Sequence, residues 1–354
     1  MKILVLGGAR FIGRRLVAES LERGHGVTLF NRGTRDDRFG DRVDRIVGDR
    51  RSPRDLAAAI ENREFDAVYD FLSFTAEDAR LAIDALSGRT GHFIHISTCS
   101  VYWCTGDFPC PVPEEDFDRY GDFEERKDSI EYDYGYNKRK AEEALFAAHR
   151  ERAFPVTAVR MPNVAGEEDP TLRYASYVLR ITDGGPLVLP DGGYAPFRHV
   201  YVGDAARALA GIPGQRDAIG RAYNLASHEI LSVRRLVSDM AGLLDRRIDT
   251  VDIPSSIIDL RWPEAGFSPF SKRAARVPAI ARARREIGWS PSPYESWLEA
   301  TVRWSSKEVR KAGVLPPACA ERDREIALAE WFRRTALEKR DGESMDGTSG
   351  RRRG

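Results

Sequence analysis

The chain opens with the stretch MKILVLGGARFIG (residues 1–13), and this stretch decides the fold. Residues 2–6 form a short apolar run typical of a buried β-strand, and residues 11–21 have the periodicity of a helix. Glycines between a strand and a helix let a pyrophosphate approach the main chain, and the helix N-terminus offers it free N–H groups. The stretch therefore predicts a dinucleotide-binding turn, with the cofactor-binding residues Gly7, Gly8, Arg10, Phe11, Ile12 and Gly13.

Strands and helices alternate along the first half of the chain. Apolar runs predict further strands at residues 26–30, 45–47, 66–72, 92–96 and 155–160. Periodicity and N-cap residues predict helices at residues 52–62, 75–86 and 134–150. Because short links join these elements, the pattern indicates a parallel sheet with helices on both faces. The predicted fold class is α/β, a Rossmann-type doubly wound parallel sheet with a smaller C-terminal substrate-binding lobe.

The alternation ends after the sixth strand, where glycine- and proline-rich connections separate the helices. We therefore expect residues 1–162 to form the nucleotide-binding domain and residues 163–335 to form the smaller lobe. An acidic, irregular insertion at residues 103–131 is too long for a plain connection, which favours a flap or interface loop near the site. Residues 198–210 are expected to return to the main sheet, and the charged tail, residues 338–354, to be disordered.

Composition and charge argue against several classes of protein. The 354 residues include 55 basic and 55 acidic side chains, so the charge favours neither a nucleic acid nor an anionic membrane as partner. No apolar run approaches the roughly 18–20 residues that span a bilayer, and the N-terminus lacks the pattern of a signal peptide. We expect a cytoplasmic protein with no metal site, because four cysteines lack metal-ligand spacing: Cys99, Cys104, Cys110 and Cys319.

The end of the second strand bears on the choice of cofactor. In nucleotide-binding βαβ units an acidic residue there accepts the ribose hydroxyls of NAD, but this chain has Asn31 followed by Arg32. A guanidinium can pair with a 2′-phosphate, so NADP is favoured and NAD stays open, unless Arg32 belongs to a solvated loop. Asp49 lies where a carboxylate can accept a hydrogen bond from the adenine amino group, or it is an ordinary loop residue. Phe71 and Leu72, at the end of the fourth strand, complete the predicted cofactor site.

A tyrosine and a lysine four residues apart, Tyr134 and Lys138, share one face of a predicted helix. A phenol with an ordinary pKa of about 10 is a poor base at neutral pH, but a neighbouring ammonium and an oxidised nicotinamide favour its phenolate. The phenolate can take the proton of a substrate hydroxyl while hydride goes to the cofactor, and Thr98 can hydrogen-bond the same oxygen. Tyr136 and Lys140 have the same spacing; we prefer the first pair because the helix then continues Ala-Glu at residues 141–142.

Five ordered motifs resemble those of extended, atypical short-chain dehydrogenase/reductases of the NAD-dependent epimerase/dehydratase family, over about residues 1–305. They are GGARFIG (7–13), ST with VY (97–102), YGYNK with AE (134–142), RMPNVAG (160–166) and RREIGW (284–289). The resemblance implies that Thr98, Tyr134 and Lys138 form a catalytic triad and that Lys138 also binds the nicotinamide ribose. It implies substrate contacts from Thr98, Ser100, Asn163 and Arg198, with Asn163 on the diphosphate of a nucleotide sugar. It also implies a homodimer formed through two helices, one of which carries Tyr134.

The chain departs from the family pattern at three places, one of which is Arg198, shifted by one residue from the family's arginine before the returning strand. Arg10 replaces the middle glycine of the first motif, as in atypical members that include chloroplast RNA-binding relatives. The 4,6-dehydratases of the family carry Asp-Glu after the catalytic threonine, and the decarboxylases carry a glutamate at the second of these places. Here the two places hold Cys99 and Ser100, neither of which is a carboxylic acid, so the sequence disfavours elimination by that route.

Of the reactions known in this family, these motifs therefore favour those that transfer hydride and do not eliminate water. The sequence analysis favours an NAD(P)-dependent, epimerase-like oxidoreductase that acts on a nucleotide-linked sugar. An NADP-dependent reductase of a sugar or ketone is the alternative, and the arginines at positions 10 and 32 favour it. A non-catalytic RNA-binding relative is the second alternative, supported by Arg10 and the arginine-rich tail. The balanced net charge and the intact triad argue against it.

Overall fold

The computed structural model describes residues 1–104, 109–117, 130–263, 266, 268–271, 274–311 and 315–346, with the main chain alone for residues 130, 131 and 338–346. The strands are β1 Lys2–Leu6, β2 Gly26–Asn31, β3 Asp44–Val47, β4 Ala67–Asp70, β5 Phe93–Thr98, β6 Val156–Met161, β7 Val164–Ala165, β8 Leu187–Pro190, β9 Val200–Tyr201, β10 Arg221–Asn224 and β11 Thr250–Ile253. The helices are α1 Phe11–Glu22, α2 Pro53–Ile60, α3 Ala76–Leu86, α4 Ser100–Trp103, α5 Ile130–Arg152, α6 Arg173–Thr182, α7 Val202–Gly211, α8 Val233–Leu243, α9 Ser255–Arg261, α10 Ala281–Glu286, α11 Tyr294–Val309 and α12 Arg322–Asp346.

The main sheet has the order β10-β6-β5-β4-β1-β2-β3 within the described residues, and all of its strands are parallel. Successive residues of a strand point to opposite faces. Ile3 and Val5 pack with α1 and α7 on one face, whereas Leu4 and Leu6 pack with α2, α3 and α5 on the other. The predicted Rossmann-type doubly wound sheet is therefore confirmed, and its strands are apolar because both of its faces are buried.

One strand of this sheet was assigned wrongly by the sequence analysis. Residues 198–210 were expected to return to the main sheet, but β9 pairs with the short strand β7 instead. The strand next to β6 is β10, which contains only four residues, Arg221–Asn224. A four-residue segment that begins with arginine and ends with asparagine lacks the apolar run that identifies a buried strand. What returns to the sheet from residues 198–210 is α7, which packs against α1.

The chain divides into two compact units that interleave along the sequence. The first contains residues 1–169, 197–230 and 276–297, and the second contains residues 170–196, 231–275 and 298–354. Two contiguous domains that meet after residue 162 were expected, so the observed division differs from the prediction. Local periodicity identifies an element without revealing which core the element joins, and this explains the difference.

The second unit has a small core of its own. Strands β8 and β11 form a parallel pair, and Val188, Ile253 and Trp262 belong to the apolar cluster around them. A buried ion pair, Arg180 with Glu325 at 2.9 Å, joins α6 to α12. Helix α12 continues to Asp346, so the first part of the expected disordered tail is helical, and residues 347–354 lie outside the described residues.

Several local predictions agree with the structure. The Ser52 hydroxyl accepts a hydrogen bond from the Asp55 N–H and caps α2, and Thr75 and Asp78 form a capping box at the start of α3.

Of the insertion at residues 103–131, residues 105–108 and 118–129 lie outside the described residues, and residues 114–117 form a 3₁₀ helix. Among the described residues, no helix is long and apolar enough to cross a membrane, and no cluster of His, Cys, Asp or Glu is arranged to hold a metal ion.

Candidate functional site

The glycine turn after β1 has the geometry that a nucleotide-binding turn needs. Gly7 and Gly8 have φ values of 103° and 84°, in the region that favours glycine. A Cβ atom on Gly13 would lie 2.6 Å from the Gly8 Cα, so only glycine lets α1 approach the turn this closely. Arg10 is the extended, exposed residue immediately before α1. Phe11 then begins the helix with a φ of 44°, which is unusual for a residue with a side chain.

A cavity of about 480 Å³ lies at the carboxyl ends of β1, β2, β3 and β4, and we call it the nucleotide pocket. Most of the predicted cofactor residues meet there, because the carboxyl ends of parallel strands share one edge of the sheet. Those that line it are Gly7, Gly8, Arg10, Asn31, Arg32, Asp49, Phe71 and Leu72. Phe11, Ile12 and Gly13 are not among its lining residues and lie in the first turn of α1. Lining residues that the sequence analysis did not assign to the site include Thr34, Arg35, Arg50, Arg51 and Phe74.

Positive charge dominates the wall of the nucleotide pocket. Arg10, Arg32, Arg35 and Arg51 line it, and none of them forms an ion pair within the part of the chain that the structure describes. The one acid among the described lining residues is Asp49, which accepts a hydrogen bond from the main-chain N–H of Arg51 at 2.9 Å. Unpaired guanidinium groups around a cavity attract an anionic ligand such as a dinucleotide.

A fifth arginine, Arg50, is buried in the wall rather than exposed at its rim. Its side chain is 3% exposed, and Nη2 lies 2.7 Å from the carboxylate of Asp70, which is completely buried. The same nitrogen lies 2.5 Å from Ser73 Oγ and 2.7 Å from the Asp78 carbonyl. An acidic residue at the end of the buried strand β4, followed by polar Ser73, could have drawn attention to Asp70, but no sequence signal indicates Arg50 as its partner.

Lys138 lies beside the pocket, in the middle of α5, and is 2% exposed. Its ammonium donates to the main-chain carbonyls of Ser73 and Ile96, each at 2.7 Å. An ammonium has three N–H donors, so one remains for a ligand. Burial lowers the pKa of Lys138 to about 8, while the carboxylate of Asp70 opposes the shift. The ring of Phe74, which lines the pocket, is 5.6 Å from the Lys138 Nζ atom.

Tyr134 precedes Lys138 by one helical turn and is 41% exposed. Its ring centre lies 6.5 Å from that of Phe74. Gly135, which lies between Tyr134 and Lys138 on α5, is so close to the Ser100 carbonyl that a Cβ atom would collide with it. Helix α5 therefore packs closely against the segment that follows β5. Thr98, at the end of β5, is buried and accepts a hydrogen bond from the Ser100 N–H at 3.1 Å.

A buried polar network lies behind the predicted triad residues and holds α5 to the sheet. Arg160 of β6 donates from Nε and Nη2 to the carboxylate of Glu142, and from Nη1 to the Tyr102 hydroxyl at 2.7 Å. The Tyr102 hydroxyl in turn donates to Asn224 of β10. Although burial opposes the charged form, the Glu142 carboxylate raises the pKa of Arg160 above its ordinary range. The network therefore fixes the Ala-Glu segment of the third motif.

The predicted substrate residues have different surroundings. Ser100 lies at the start of α4, with its hydroxyl 3.2 Å from that of Thr98. Asn163 is half-buried beyond the end of β6, and its carbonyl accepts the N–H of Val200. Arg198 donates from Nη1 to the Pro278 carbonyl and from Nη2 to the His228 carbonyl, so main-chain groups already use both ends of its guanidinium. Neither Asn163 nor Arg198 is among the residues that line the nucleotide pocket.

Comparison with known protein families gives one clear match. Residues 3–226, about two thirds of the chain, match the model of the NAD dependent epimerase/dehydratase family. Among solved structures, UDP-glucuronic acid 4-epimerase from Bacillus cereus in complex with NAD superposes with a TM-score of 0.67 at 19% identity, covering 87% of this chain and 99% of that one. At this identity the superposition establishes a shared fold.

Curated relatives share 24% identity with the chain. They include chloroplast stem-loop binding protein of 41 kDa b from Arabidopsis thaliana, over 65% of this chain and 60% of that protein. UDP-N-acetyl-α-D-glucosaminuronate decarboxylase from Bacillus cytotoxicus matches over 86% of this chain and 97% of that protein. 2′-Dehydrokanamycin reductase from Streptomyces kanamyceticus matches over 78% and 76%, respectively. The chain thus spans well under two thirds of the length of the chloroplast relative.

Proposed function

This chain belongs to the NAD-dependent epimerase/dehydratase family of short-chain dehydrogenase/reductase enzymes, and we propose that it is an epimerase-like oxidoreductase that acts on a nucleotide-linked sugar by reversible hydride transfer. One observation carries the proposal. The Phe74 ring lines the nucleotide pocket, 5.6 Å from Lys138 Nζ and 6.5 Å from the Tyr134 ring. An acid–base pair that borders a dinucleotide pocket is the arrangement that hydride transfer to and from a carbinol requires.

The residues present fit a dinucleotide, because the glycine turn, the cationic wall and the free donor of Lys138 meet at one edge of the sheet. When bound, NAD(P) supplies the hydride acceptor and a positively charged nicotinamide. In this mechanism the ammonium of Lys138, one helical turn from Tyr134, favours the phenolate of that residue. Tyr134 then removes the proton of the substrate hydroxyl as hydride leaves, and Thr98 holds the oxygen with its hydroxyl.

The surroundings of Cys99 support a reaction without elimination. Cys99 is completely buried, and burial raises the pKa of its thiol well above the ordinary value. A buried neutral thiol is a poor acid or base for the loss of water, and the next residue, Ser100, carries no carboxylate. Oxidation of the sugar, turnover of the ketone and return of the hydride to its other face need neither group.

The tyrosine hydroxyl provides the direct test. Tyr134→Phe should lower kcat by about 10²–10⁴-fold on a panel of UDP- and dTDP-linked sugars, while the Kd for the dinucleotide changes little. Tyr136→Phe is the matched control and should retain activity. A primary kinetic isotope effect with sugars deuterated at single carbons identifies the carbon from which hydride leaves. Substrate conversion that survives Tyr134→Phe would contradict the acid–base role of this hydroxyl. A wild-type protein that converts no sugar on the panel would instead favour a non-catalytic role, such as the stem-loop binding named for the chloroplast relative.

We also propose that the cofactor is NADP rather than NAD. The support is the set of unpaired guanidinium groups at the pocket and the absence of an acid at the end of β2, where the Asn31 side chain instead accepts the N–H of Gly33 at 2.8 Å. A guanidinium on a 2′-phosphate contributes about 1.5–3 kcal/mol, so Arg32→Ala should weaken NADP binding at least tenfold and NAD binding by less than twofold. Arg38→Ala, outside the pocket, is the control. Equal effects on both dinucleotides would contradict NADP preference.

A reductase of a sugar or ketone is the second candidate, and the cationic pocket favours it because NADPH is the usual donor in reductions. The reductase among the relatives adds to its support. The two candidates differ in how they treat the cofactor: an epimerase regenerates it in each cycle, whereas a reductase releases it oxidised. Cofactor retained through desalting, with turnover that needs no added NADPH, supports epimerisation. Turnover in proportion to added NADPH supports reduction.

A homodimer through α3 and α5 is also proposed. Between these helices runs a groove lined by Arg80, Ile83, Asp84 and the small residues Ala144, Ala147 and Ala148. Light scattering of the purified chain tests the stoichiometry, and Ala147→Arg should dissociate a dimer that uses this groove. An unchanged dimer mass in that variant would contradict the proposed interface.

A further inference from the structure

Asp70 makes an unusually complete set of hydrogen bonds at the end of β4. One carboxylate oxygen accepts the N–H groups of Leu72 at 2.8 Å and Ser73 at 3.0 Å. The other accepts the Ser73 hydroxyl at 2.6 Å and Arg50 Nη2 at 2.7 Å. Asp70 thus fixes the turn of residues 71–73, because both of its oxygens bind donors within or beside that turn.

The same turn carries two parts of the site. Phe71 and Leu72 line the nucleotide pocket, and the carbonyl of Ser73 accepts the ammonium of Lys138 at 2.7 Å. Arg50 lies beyond Asp70 and binds the Ser73 hydroxyl as well. A continuous series of hydrogen bonds therefore runs from the wall of the pocket at Arg50, through Asp70 and Ser73, to Lys138.

The burial of Arg50 reduces the stability of the fold, which is unexpected for a residue with a purely structural role. Within the described residues, its Nε and Nη1 atoms are buried without a hydrogen-bond partner. A buried ion pair seldom stabilises a protein more than apolar residues of similar volume, and unsatisfied buried donors weaken it further. A requirement at the site explains the burial of a charged pair in the pocket wall better than stability does.

We propose that Arg50 and Asp70 are positioning residues, which hold the Ser73 carbonyl and thereby fix the ammonium of Lys138 for catalysis. The inference rests on the role proposed above for Lys138. Charged groups around Lys138 come from several elements: Asp70, Asp78, Glu142 and Arg50, with His95 facing it from β5. Of these, Asp70 has the largest effect in favour of the ammonium.

Asp70→Asn keeps the size of the side chain and removes its charge. We expect kcat to fall about tenfold and the alkaline limb of the kcat–pH profile to move about one unit towards lower pH, because the ammonium loses its main supporting charge. Asp37→Asn is the control, since Asp37 is a buried carboxylate that pairs with the exposed Arg45 in the same unit, outside the pocket. It should lower the melting temperature and leave the limb in place.

The double variant Arg50→Met/Asp70→Asn separates positioning from stability. Removal of both charges should recover much of the melting temperature that each single variant loses, since no buried charge is left uncompensated. The kcat should stay about tenfold low. A double variant that recovers kcat together with the melting temperature would overturn the proposal, as would a folded Asp70→Asn enzyme with unchanged kcat and pH profile.

A titration without substrate keeps this test independent of the proposed function. Lysine labelled with ¹³C at Cε reports each ammonium by NMR, and Lys138→Arg assigns the signal. In the wild type we expect Lys138 to titrate near 8, and in Asp70→Asn about one unit lower. If no activated sugar turns over, this shift still supports the positioning role while the proposed function fails. An unchanged titration overturns the positioning role whatever the activity.

Discussion

Helix α5 carries two tyrosine–lysine pairs with identical spacing and different surroundings. Lys138 is 2% exposed and donates to two main-chain carbonyls, whereas the Lys140 side chain is 38% exposed and pairs with Glu143 at 2.8 Å. Tyr134 lies near Phe74 at the pocket, but Tyr136 stacks on Tyr132. Two residues correspond to about 200° of rotation around a helix, so the second pair faces away from the first. The two pairs thus share their spacing, and what distinguishes the first pair is the burial of its lysine against the edge of the sheet.

Replacing each lysine in turn should give the largest difference in activity between the two pairs. Lys138→Met should lower kcat/KM about 10³-fold, because it removes both the charge that favours the phenolate and a cofactor contact. Lys140→Met should stay within twofold of the wild type, since its ammonium contacts an exposed carboxylate and the Tyr136 ring and is not buried against the sheet. Steady-state kinetics with the fastest activated sugar decides. Equal losses in the two variants would assign no special role to the first pair.

The packing of the helix gives the next largest effect. Gly135→Ala should push α5 away from the Ser100 carbonyl and lower kcat/KM about 10–100-fold, because the triad loses its alignment. Gly242→Ala, in a helix with open space around the glycine, is the control and should be neutral or slightly stabilising. Kinetics and thermal melts of both variants test this. Wild-type kinetics in Gly135→Ala would contradict close packing at Ser100.

The pH dependence sharpens the comparison further. The proposed mechanism needs the Lys138 ammonium, and burial lowers the pKa of this lysine to about 8, so kcat should fall about tenfold per unit once the pH exceeds that value. Well below pH 8 Lys138 is protonated, so kcat should no longer change with the charge of this residue. Lys140→Met should leave the limb where it is. A plateau that extends to pH 10 would mean that the lysine keeps its ordinary pKa despite burial.

The smallest effect is expected at the ion pair of the second lysine. Lys140→Met should change the free energy of unfolding by no more than about 0.5 kcal/mol, because both partners of its ion pair are more than one third exposed and solvent screens them. Urea denaturation measures this difference. A larger loss of stability would show that the exposed face of α5 is covered in solution.

The sequence was sufficient for features that depend on neighbouring residues. The β1 strand, the glycine turn and α1 follow from one continuous stretch, and Ser52 and Thr75 cap helices that begin at the next residue. The predicted cofactor residues at the ends of β1, β2, β3 and β4 could be assigned to one site, because the carboxyl ends of parallel strands lie at the same edge of the sheet. The motifs likewise identified the family, and the family match confirms this.

Features that depend on distant residues were missed or assigned wrongly. The Arg50–Asp70 pair joins residues twenty positions apart, and neither residue has a pattern that predicts the other. β10 was overlooked because its strand character comes from pairing with β6, not from an apolar run. The resemblance places Arg198 at the substrate, and that assignment stays a prediction; its contacts with the carbonyls of Pro278 and His228 could not be read from the sequence. In each case tertiary contacts decide what the residue does.

The interleaving of the two units has a consequence for synthesis on the ribosome. The core that contains Leu16 also contains Leu209, Tyr223 and Trp289, so it cannot close until nearly 290 residues have been translated. At about 5–20 residues per second, β1 and α1 wait roughly 15–60 s for their last partners. During that interval an apolar face of the nascent sheet is uncovered, which is the kind of surface through which folding intermediates aggregate.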